Sequence, residues 1–220
     1  MVIGYLRMLQ RDMNGSLTDQ QRKMIDEAAK SCARLNAVVE ELSDVGKIDG
    51  GRIRLKREPT DVFSLVAEVA NLVHEASDRG VRLEVRGAAA GATLAADQGL
   101  LRRAFDAIFR AILREKPRQC IVVAERRIET IDGSPSAIVI VADESSVQAA
   151  YDRTPGPFDD RRGGLGLALP LARRVISGHG GQLWSPASMT GAPVAEGAPS
   201  SDPLARGSAI ISLPITELPR

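Results

Sequence analysis

Three glycines within four residues form the stretch of this chain best suited to hold a ligand. Gly163, Gly164 and Gly166 stand directly before an apolar pattern that recurs at helical spacing. Glycine lets a backbone approach a ligand closely, and the start of a helix offers free N–H groups that attract phosphate. We therefore predict a phosphate-binding loop whose lining includes Leu165 and Leu167.

Two well-known glycine loops do not fit this stretch. A P-loop would end in a Lys-Ser or Lys-Thr pair, and no such pair follows Gly166. A dinucleotide-binding loop would follow a strand, and residues 158–162 have no strand pattern. Two alternatives stay open at this point: a phosphate loop of another family, and a glycine turn that only packs a helix against a sheet.

The overall composition argues against several classes of partner. Lysine and arginine number 29 against 28 acidic residues, so the formal net charge of +1 gives no electrostatic case for nucleic acid or an anionic membrane. No apolar run reaches membrane-spanning length. The two histidines have no Cys, His or carboxylate at zinc-site spacing. We expect a cytoplasmic chain without nucleic-acid, membrane or metal contacts.

Neither histidine is predicted to do chemistry. His74 lies in a predicted helix and is interpreted as a surface or partly buried residue rather than a phosphoacceptor. His179 lies at a predicted helix end, where the helix dipole favours a histidine, and is interpreted as structural.

The first fifty residues have the pattern of two helices joined by a turn. Residues 1–12 carry apolar positions at helical spacing, and Asn14-Gly15 is a turn signal. Thr18 and Gln21 predict a capping box, which starts a helix that ends near Gly46. Its apolar residues form a narrow stripe: Ile25, Ala28, Ala29, Cys32, Leu35, Val39 and Leu42. Such a stripe needs a second copy to cover it, so we predict an antiparallel hairpin that forms a four-helix bundle as a homodimer.

The rest of the chain, residues 51–220, has the pattern of an α/β sandwich, which makes the whole chain α+β. One helix is expected over residues 59–80, and a second begins after a cap at Asp97. Six apolar residues of the second helix are expected to face inward: Leu101, Ala104, Phe105, Ile108, Phe109 and Ile112. A hairpin turn is expected at Asp132-Gly133, and residues 87–96 are predicted to be a loop. Strands are expected at residues 81–85, 121–123, 137–142 and 207–214. Helices on one face of a mixed sheet are the expected architecture.

Several of these segments together resemble the sensor histidine kinases of two-component signalling. The run Gly-Leu-Gly-Leu-Ala-Leu at residues 164–169, its helix, and His-Gly-Gly-x-Leu-Trp at residues 179–184 are similar to the second glycine box of that family. Residues 17–21 and 40–45 are similar to the start and the end of the second helix in its dimerisation hairpin.

This resemblance implies a domain organisation, a ligand and partners. A dimerisation hairpin would occupy residues 1–50, and a GHKL-type ATP-binding domain would occupy residues 51–220. ATP would be the ligand, and a response-regulator receiver domain would dock on the homodimer. Ile3-Gly4-Tyr5 matches the segment that follows the family's phosphoacceptor histidine, which we therefore expect upstream of Met1.

The chain departs from the family pattern where the metal is held. In the family, asparagines on the helix that follows Asp97 hold the Mg²⁺ ion that bridges the ATP phosphates. The positions that correspond to those asparagines here are Ala107 and Ala111. On this helix, only the basic position of the family pattern is retained, as Arg114, which the resemblance implies as a nucleotide-binding residue. Alanine offers no oxygen to a hard cation, so we expect no Mg²⁺ binding.

The first glycine box, which surrounds the adenine base in the family, is also altered. The resemblance places Asp143 against the adenine amino group. The two glycines that should follow are replaced by Ser145 and Val147, and a β-branched valine resists positive φ. We therefore expect weakened ATP binding.

Three functions remain open from the sequence. The first is a degenerate kinase, or adaptor, that dimerises and contacts a receiver domain. The second is an active histidine kinase that binds ATP in an altered way. The third is a histidine phosphotransferase that binds no nucleotide. Magnesium-dependent nucleotide binding separates the second from the other two.

Overall fold

The structure, a computed structural model, describes residues 18–49, 55–161, 167–189 and 202–215. The chain divides into two compact units between Arg52 and Ile53. None of the described helices is long and apolar enough to cross a membrane.

One long helix is described in the first unit. This helix, α1, spans Asp19–Asp49 and passes the end predicted near Gly46. It begins with the predicted capping box: the Thr18 N–H donates to Gln21 Oε1 at 2.8 Å, and the Gln21 N–H donates to Thr18 Oγ1 at 3.2 Å. The helix predicted at residues 1–12 lies outside the described residues. Three large apolar side chains of α1 are 65%, 66% and 64% exposed, respectively Met24, Leu35 and Val39.

The second unit combines short helices with a mixed sheet. Its helices are α2 (Val62–Leu72), α3 (Gln98–Arg114), α4 (Val147–Asp152), α5 (Ala168–Gly178) and α6 (Pro203–Arg206). Its strands are β1 (Glu58–Asp61), β2 (Arg82–Gly87), β3 (Thr93–Ala96), β4 (Ile121–Ile131), β5 (Ser134–Asp143), β6 (Pro155–Pro157), β7 (Gln182–Pro186) and β8 (Ala209–Pro214).

Six strands form one sheet in the order β2-β4-β5-β8-β7-β6. In this sheet β2 and β4 are parallel, and every other neighbouring pair is antiparallel. The strands β1 and β3 pair separately as a short antiparallel ribbon. The predicted α+β class with a mixed sheet is confirmed.

The hairpin predicted at Asp132-Gly133 joins β4 to β5. Both turn residues have positive φ, 50° for Asp132 and 79° for Gly133. A two-residue hairpin turn of type I′ needs positive φ at both positions, which Asp-Gly tolerates. The prediction is confirmed, and both strands extend beyond the predicted residues.

A continuous apolar core holds α3 and the sheet together. α3 packs against α2, α5 and β5. β5 is buried on both faces, because Ile138 and Ile140 pack with α4 while the alternating Val139 and Val141 are also 0% exposed. α3 buries all six positions predicted to face inward: Leu101, Ala104, Phe105, Ile108, Phe109 and Ile112.

The prediction was wrong about two segments that form the β1–β3 ribbon. Residues 59–61 were predicted to begin a helix and residues 87–96 to be a loop, but Glu58–Asp61 pairs with Thr93–Ala96. The helix α2 starts only after Asp61, whose carboxylate caps it by accepting the Ser64 N–H at 2.9 Å. Residues 87–96 are mostly small, a composition typical of a loop, so the short strand Thr93–Ala96 was not predicted.

The predicted end of α2 was also wrong. The helix ends at Leu72 rather than at Gly80, because Val73 is extended and Ala76 has a left-handed φ of 61°. Gly80 instead ends a single turn of 3-10 helix with φ 73°. His74 consequently lies beyond the helix, and its side chain is exposed.

Candidate functional site

The helix α3 carries Ala107 and Ala111, which the resemblance matches to the metal-holding asparagines of the family. Asp97 caps this helix by accepting the Leu100 N–H at 3.0 Å. Ala107 is half-buried, and Ala111 is 3% exposed. A methyl group cannot serve as the oxygen ligand that Mg²⁺ requires. Over the described residues, no group of three or more His, Cys, Asp or Glu side chains could hold a metal ion.

The basic side chain at the end of α3 belongs to an internal ion pair. Arg114 Nε lies 2.9 Å from Glu75 Oε1, and Arg110 Nη1 lies 3.3 Å from Glu75 Oε2. The hydrogen bond from Arg114 is the largest influence on the Glu75 carboxyl, and together the arginines hold its pKa below the usual value. Arg114, which the resemblance implies as a nucleotide-binding residue, is thus already paired within the protein.

Asp143, the residue predicted to meet the adenine base, is the last residue of β5. Lys116 Nζ lies 3.0 Å from Asp143 Oδ1, and the Cys120 thiol donates to the same oxygen at 3.0 Å. Lys116 also donates to the Gly207 carbonyl oxygen at 2.6 Å. The lysine side chain is 4% exposed and the Asp143 side chain 39% exposed. We call Lys116, Cys120, Asp143 and Gly207 the carboxylate cluster.

The thiol in the carboxylate cluster is a donor at neutral pH. Burial is the main cause that raises the pKa of Cys120 to about 11, and the hydrogen bond to Asp143 adds to it. The thiol therefore stays protonated and donates to the carboxylate. A thiolate nucleophile at this position is disfavoured for the same reason.

Sequence patterns do not single out Lys116, Cys120 or Gly207. A lysine after the last turn of an amphipathic helix is ordinarily solvated. Its contact with Gly207 spans 91 positions of the chain, and the Cys120–Asp143 contact spans 23. The helical period of 3.6 residues and the strand period of 2 residues do not predict contacts between residues so far apart in the chain. The sequence contains no short-range signal for this cluster.

The altered first glycine box forms helix rather than an open loop. Glu144–Ser146 is a single 3-10 turn, and Val147 starts α4 with φ −52°. Ser145 is exposed, whereas Val147 is 6% exposed and packs in the core with Ile138 and Ile140. A β-branched residue fits here because the backbone does not need positive φ.

The predicted phosphate loop lies outside the described residues and stays a prediction; it comprises Gly163, Gly164, Leu165 and Gly166. Leu167 directly precedes α5, at its N-cap position, so a helix does begin where the sequence predicts.

The segment before the glycine loop is fixed to α5. Arg173 Nε lies 3.2 Å from Asp160 Oδ2, and Arg173 Nη2 donates to the Phe158 carbonyl oxygen. The Phe158 side chain is 2% exposed. The lone aromatic residue of this segment is therefore part of the core.

His179 is structural, but it is not the charged dipole partner that its position suggested. Its Nδ1 lies 2.7 Å from the Val175 carbonyl oxygen and its Nε2 accepts the Asp97 N–H at 2.9 Å, which requires the neutral imidazole with a proton on Nδ1. Burial lowers its pKa below the ordinary 6.5. His179 thus joins the end of α5 to the start of α3.

Comparison with known proteins gives relatives of one kind. No protein-family model matches the chain. The chain is 26% identical over 189 residues to an uncharacterized sensor-like histidine kinase of Rhizobium meliloti (strain 1021). This alignment covers 83% of this chain and 36% of that protein. It is 24% identical over 196 residues to the signal transduction histidine-protein kinase BarA of Escherichia coli (strain K12), covering 83% and 21%. The chain thus spans well under half the length of either relative.

Solved structures of histidine kinases share the fold. Full-length ShkA in complex with AMPPNP aligns with a TM-score of 0.69 at 19% identity, over 99% of this chain and 44% of that one. AdeS of Acinetobacter baumannii aligns with a TM-score of 0.58 at 16% identity, over 98% and 95%. ThkA in complex with the response regulator TrrA gives 0.55 at 15% identity, over 98% and 57%. Sequence relatives and fold agree: the chain is similar to sensor histidine kinases in sequence and shares the fold of solved histidine kinases.

Proposed function

We propose that this chain is a histidine-kinase-like component of two-component signal transduction that works without magnesium-dependent phosphoryl transfer. It acts as a degenerate kinase, or adaptor, in the signalling pathway. The observation that carries this proposal is the pair Ala107 and Ala111 on α3, at the positions where the family's metal-holding oxygens are expected. Phosphoryl transfer depends on charge neutralisation by a metal ion, so their absence removes a central part of the chemistry.

The charged residues of the expected site support the same proposal. Arg114 is paired with Glu75, and Asp143 is paired with Lys116. A ligand would have to compete with these internal partners for both groups. The site keeps charged residues of the expected kind but commits them to the protein itself.

A nucleotide remains the ligand class that the fold best accommodates. The neighbouring structure of ShkA was solved with AMPPNP, an ATP analogue. In this chain, the backbone at Gly163, Gly164 and Gly166 would meet the phosphates, and Asp143 would lie nearest the base. We propose weak ATP binding that magnesium does not strengthen.

A homodimer and a receiver domain are the proposed partners. The exposed apolar side chains Met24, Leu35 and Val39 of α1 give a second copy of the helix an apolar surface to cover. The neighbouring ThkA structure contains a response regulator, which supports a receiver domain as the second partner.

Calorimetric titration with ATP, with and without excess Mg²⁺, tests the proposed loss of metal-dependent binding. The wild-type chain should bind ATP with an affinity that Mg²⁺ changes by no more than about twofold, because the expected metal ligands are absent. Ala111→Asn restores an amide oxygen and should make binding about tenfold tighter with Mg²⁺.

Two further variants provide an alternative substitution and a control for this experiment. Since Ala111 is buried, Ala107→Asn at a half-buried position provides a second place to restore an oxygen. Ala149→Asn, on the exposed side of α4, is the matched control and should leave binding unchanged. Wild-type affinity that rises about tenfold with Mg²⁺ would reject the proposal in favour of an active kinase.

A further inference from the structure

In the carboxylate cluster, Lys116 and Cys120 contact the same one of the two carboxylate oxygens of Asp143. Its Oδ1 atom accepts from both Lys116 and Cys120 at 3.0 Å, while the side chain as a whole is 39% exposed. One oxygen is thus held on the protein side, at the end of β5. A ligand approaching this carboxylate would have Oδ2 as its acceptor, on a group whose charge is already paired with Lys116.

The lysine in this cluster depends on the carboxylate. Its side chain is only 4% exposed, and a buried ammonium group needs an opposite charge and hydrogen-bond acceptors. Across the residues that the structure describes, its recorded partners are the Asp143 carboxylate and the neutral Gly207 carbonyl. Asp143 therefore supplies the negative charge that pairs with Lys116 in the interior.

The loop before β8 is shaped around the lysine amine. Gly207 has φ −89°, so its backbone would tolerate any residue type. A Cβ atom on Gly207 would nevertheless lie 2.6 Å from Lys116 Nζ and 2.7 Å from the Pro203 carbonyl oxygen. The missing side chain makes room for the ammonium group, which indicates a built contact rather than a chance approach.

We propose that Lys116 is a specificity-determining residue that acts as an internal cation on Asp143 and thereby suppresses recognition of an amino-bearing base. This inference rests on the proposed function, in which Asp143 lies nearest the base of a bound nucleotide. Lys116 pairs with Oδ1 and already compensates the charge of the carboxylate, so the exocyclic amino group would meet a weakened acceptor at Oδ2. The wild-type site should therefore distinguish only weakly between a base with this amino group and a base without it.

The competition favours the lysine for a physical reason. A hydrogen bond between an ammonium and a carboxylate is charge-assisted and roughly twice as strong as one from a neutral donor. An exocyclic amino group is neutral, so it cannot replace the charge that Lys116 would lose. Taking Asp143 away from Lys116 would leave a buried charge without compensation.

Base selectivity measured without magnesium tests this inference. ADP carries the 6-amino group, and inosine diphosphate carries an oxygen in its place. Wild-type protein should bind the two within about twofold of each other, because Lys116 already pairs with the carboxylate. Lys116→Met removes the cation at similar length and should bind ADP about tenfold more tightly than inosine diphosphate, as expected for one hydrogen bond to a freed carboxylate.

Three further variants make the outcome decisive. Lys116→Gln, which keeps an N–H donor for Gly207, should show the same preference and covers the case in which Lys116→Met does not fold. The double variant Lys116→Met/Asp143→Asn should lose the preference. Arg153→Met breaks the ion pair to Asp202 elsewhere in this unit, with 2.6 Å between Arg153 Nη1 and Asp202 Oδ2, and should stay unselective.

The failure of this inference and of the proposed function can be told apart. A preference of about tenfold for ADP in the wild-type protein would overturn the role of Lys116. So would folded Lys116 variants that bind both nucleotides equally, or that bind neither. The proposed function would fail instead through the magnesium dependence of wild-type ATP binding, which is measured separately.

Discussion

The two ends of α3 are held by different kinds of interaction. At its start, the Asp97 carboxylate accepts the Leu100 N–H, and the Asp97 N–H donates to the neutral His179 ring. At its end, Arg114 pairs with Glu75, and just beyond it Lys116 pairs with Asp143. The start of the helix is thus secured through backbone groups, whereas its end adds pairs of charged side chains to a backbone cap by the Glu115 N–H.

This difference bears on function because the second end is where the ligand groups are expected. Bonds to backbone groups stabilise the fold and leave charges available elsewhere. Ion pairs between side chains commit the charges themselves, including those of Arg114 and Asp143, which we propose as nucleotide-binding residues. The fold can therefore be kept while charged groups of the proposed ligand site are paired within the protein.

The largest effect is expected where the buried pair loses its anion. Asp143→Asn leaves the Lys116 ammonium without a counter-charge at 4% exposure, which should cost about 3 kcal/mol of the free energy of unfolding. Urea unfolding monitored by circular dichroism measures this loss. A change below about 0.5 kcal/mol would show that the two ends of α3 do not differ in the way described.

A smaller effect is expected from the glycine that borders this pair. Gly207→Ala would place a Cβ 2.6 Å from Lys116 Nζ and 2.7 Å from a backbone carbonyl, so we expect a loss of about 1–3 kcal/mol from overpacking. Gly99→Ala, in the first turn of α3, is the matched control. Its new Cβ would come no closer than 3.5 Å to Asp97 Oδ1, so we expect stability to stay equal or to rise. Equal losses in both variants would contradict the close contact at Gly207.

A pH dependence is expected at the start of α3. Burial, the main cause, lowers the folded pKa of His179 below 6.5, against the effects of the Val175 carbonyl and Asp97 and together with that of Arg57. The stability contributed by the neutral ring is therefore fully present above pH 6.5 and is lost as pH falls below it, by at most about 1.4 kcal/mol per pH unit.

Unfolding of the wild-type chain and of His179→Gln at a series of pH values measures this contribution. The wild-type chain should lose more stability than the variant between pH 6.5 and the lowest pH at which both still fold. Parallel curves for the two proteins would mean that His179 is not held in its neutral form.

The smallest effect is expected from the exposed ion pair at the end of α3. The Arg114 side chain is 51% exposed, so Arg114→Met should change the free energy of unfolding by no more than about 0.5 kcal/mol. Chemical unfolding at low and high salt checks this, and salt should reduce the small difference. A loss comparable to that of Asp143→Asn would mean that exposure does not separate the two pairs.

Sequence reasoning predicted those parts of the fold that follow local rules. The cap at Asp97, the buried face of α3 and the Asp132-Gly133 turn each depend on residues within a few positions of one another. The strand at residues 58–61 escaped prediction, because its pairing with residues 93–96 decides its structure more than its own composition does.

The candidate site could be predicted from the sequence only in part. The alanines at positions 107 and 111 can be read directly from the sequence, and the proposed loss of metal ligands rests on them. The pairing of Asp143 with Lys116 cannot be read in this way, because the tertiary fold alone brings the end of β5 to the chain that follows α3. His179 showed the same limit, since its neutral form depends on a contact with Asp97 that spans 82 positions.

The most direct test of this account is a pair of double-mutant cycles on the free energy of unfolding. One cycle combines Lys116→Met with Asp143→Asn, and the other combines Arg114→Met with Glu75→Gln. The account predicts a coupling energy of about 2–3 kcal/mol for the buried pair and below about 0.5 kcal/mol for the exposed pair. Equal and small coupling energies in both cycles would contradict the claim that Asp143 is committed to Lys116.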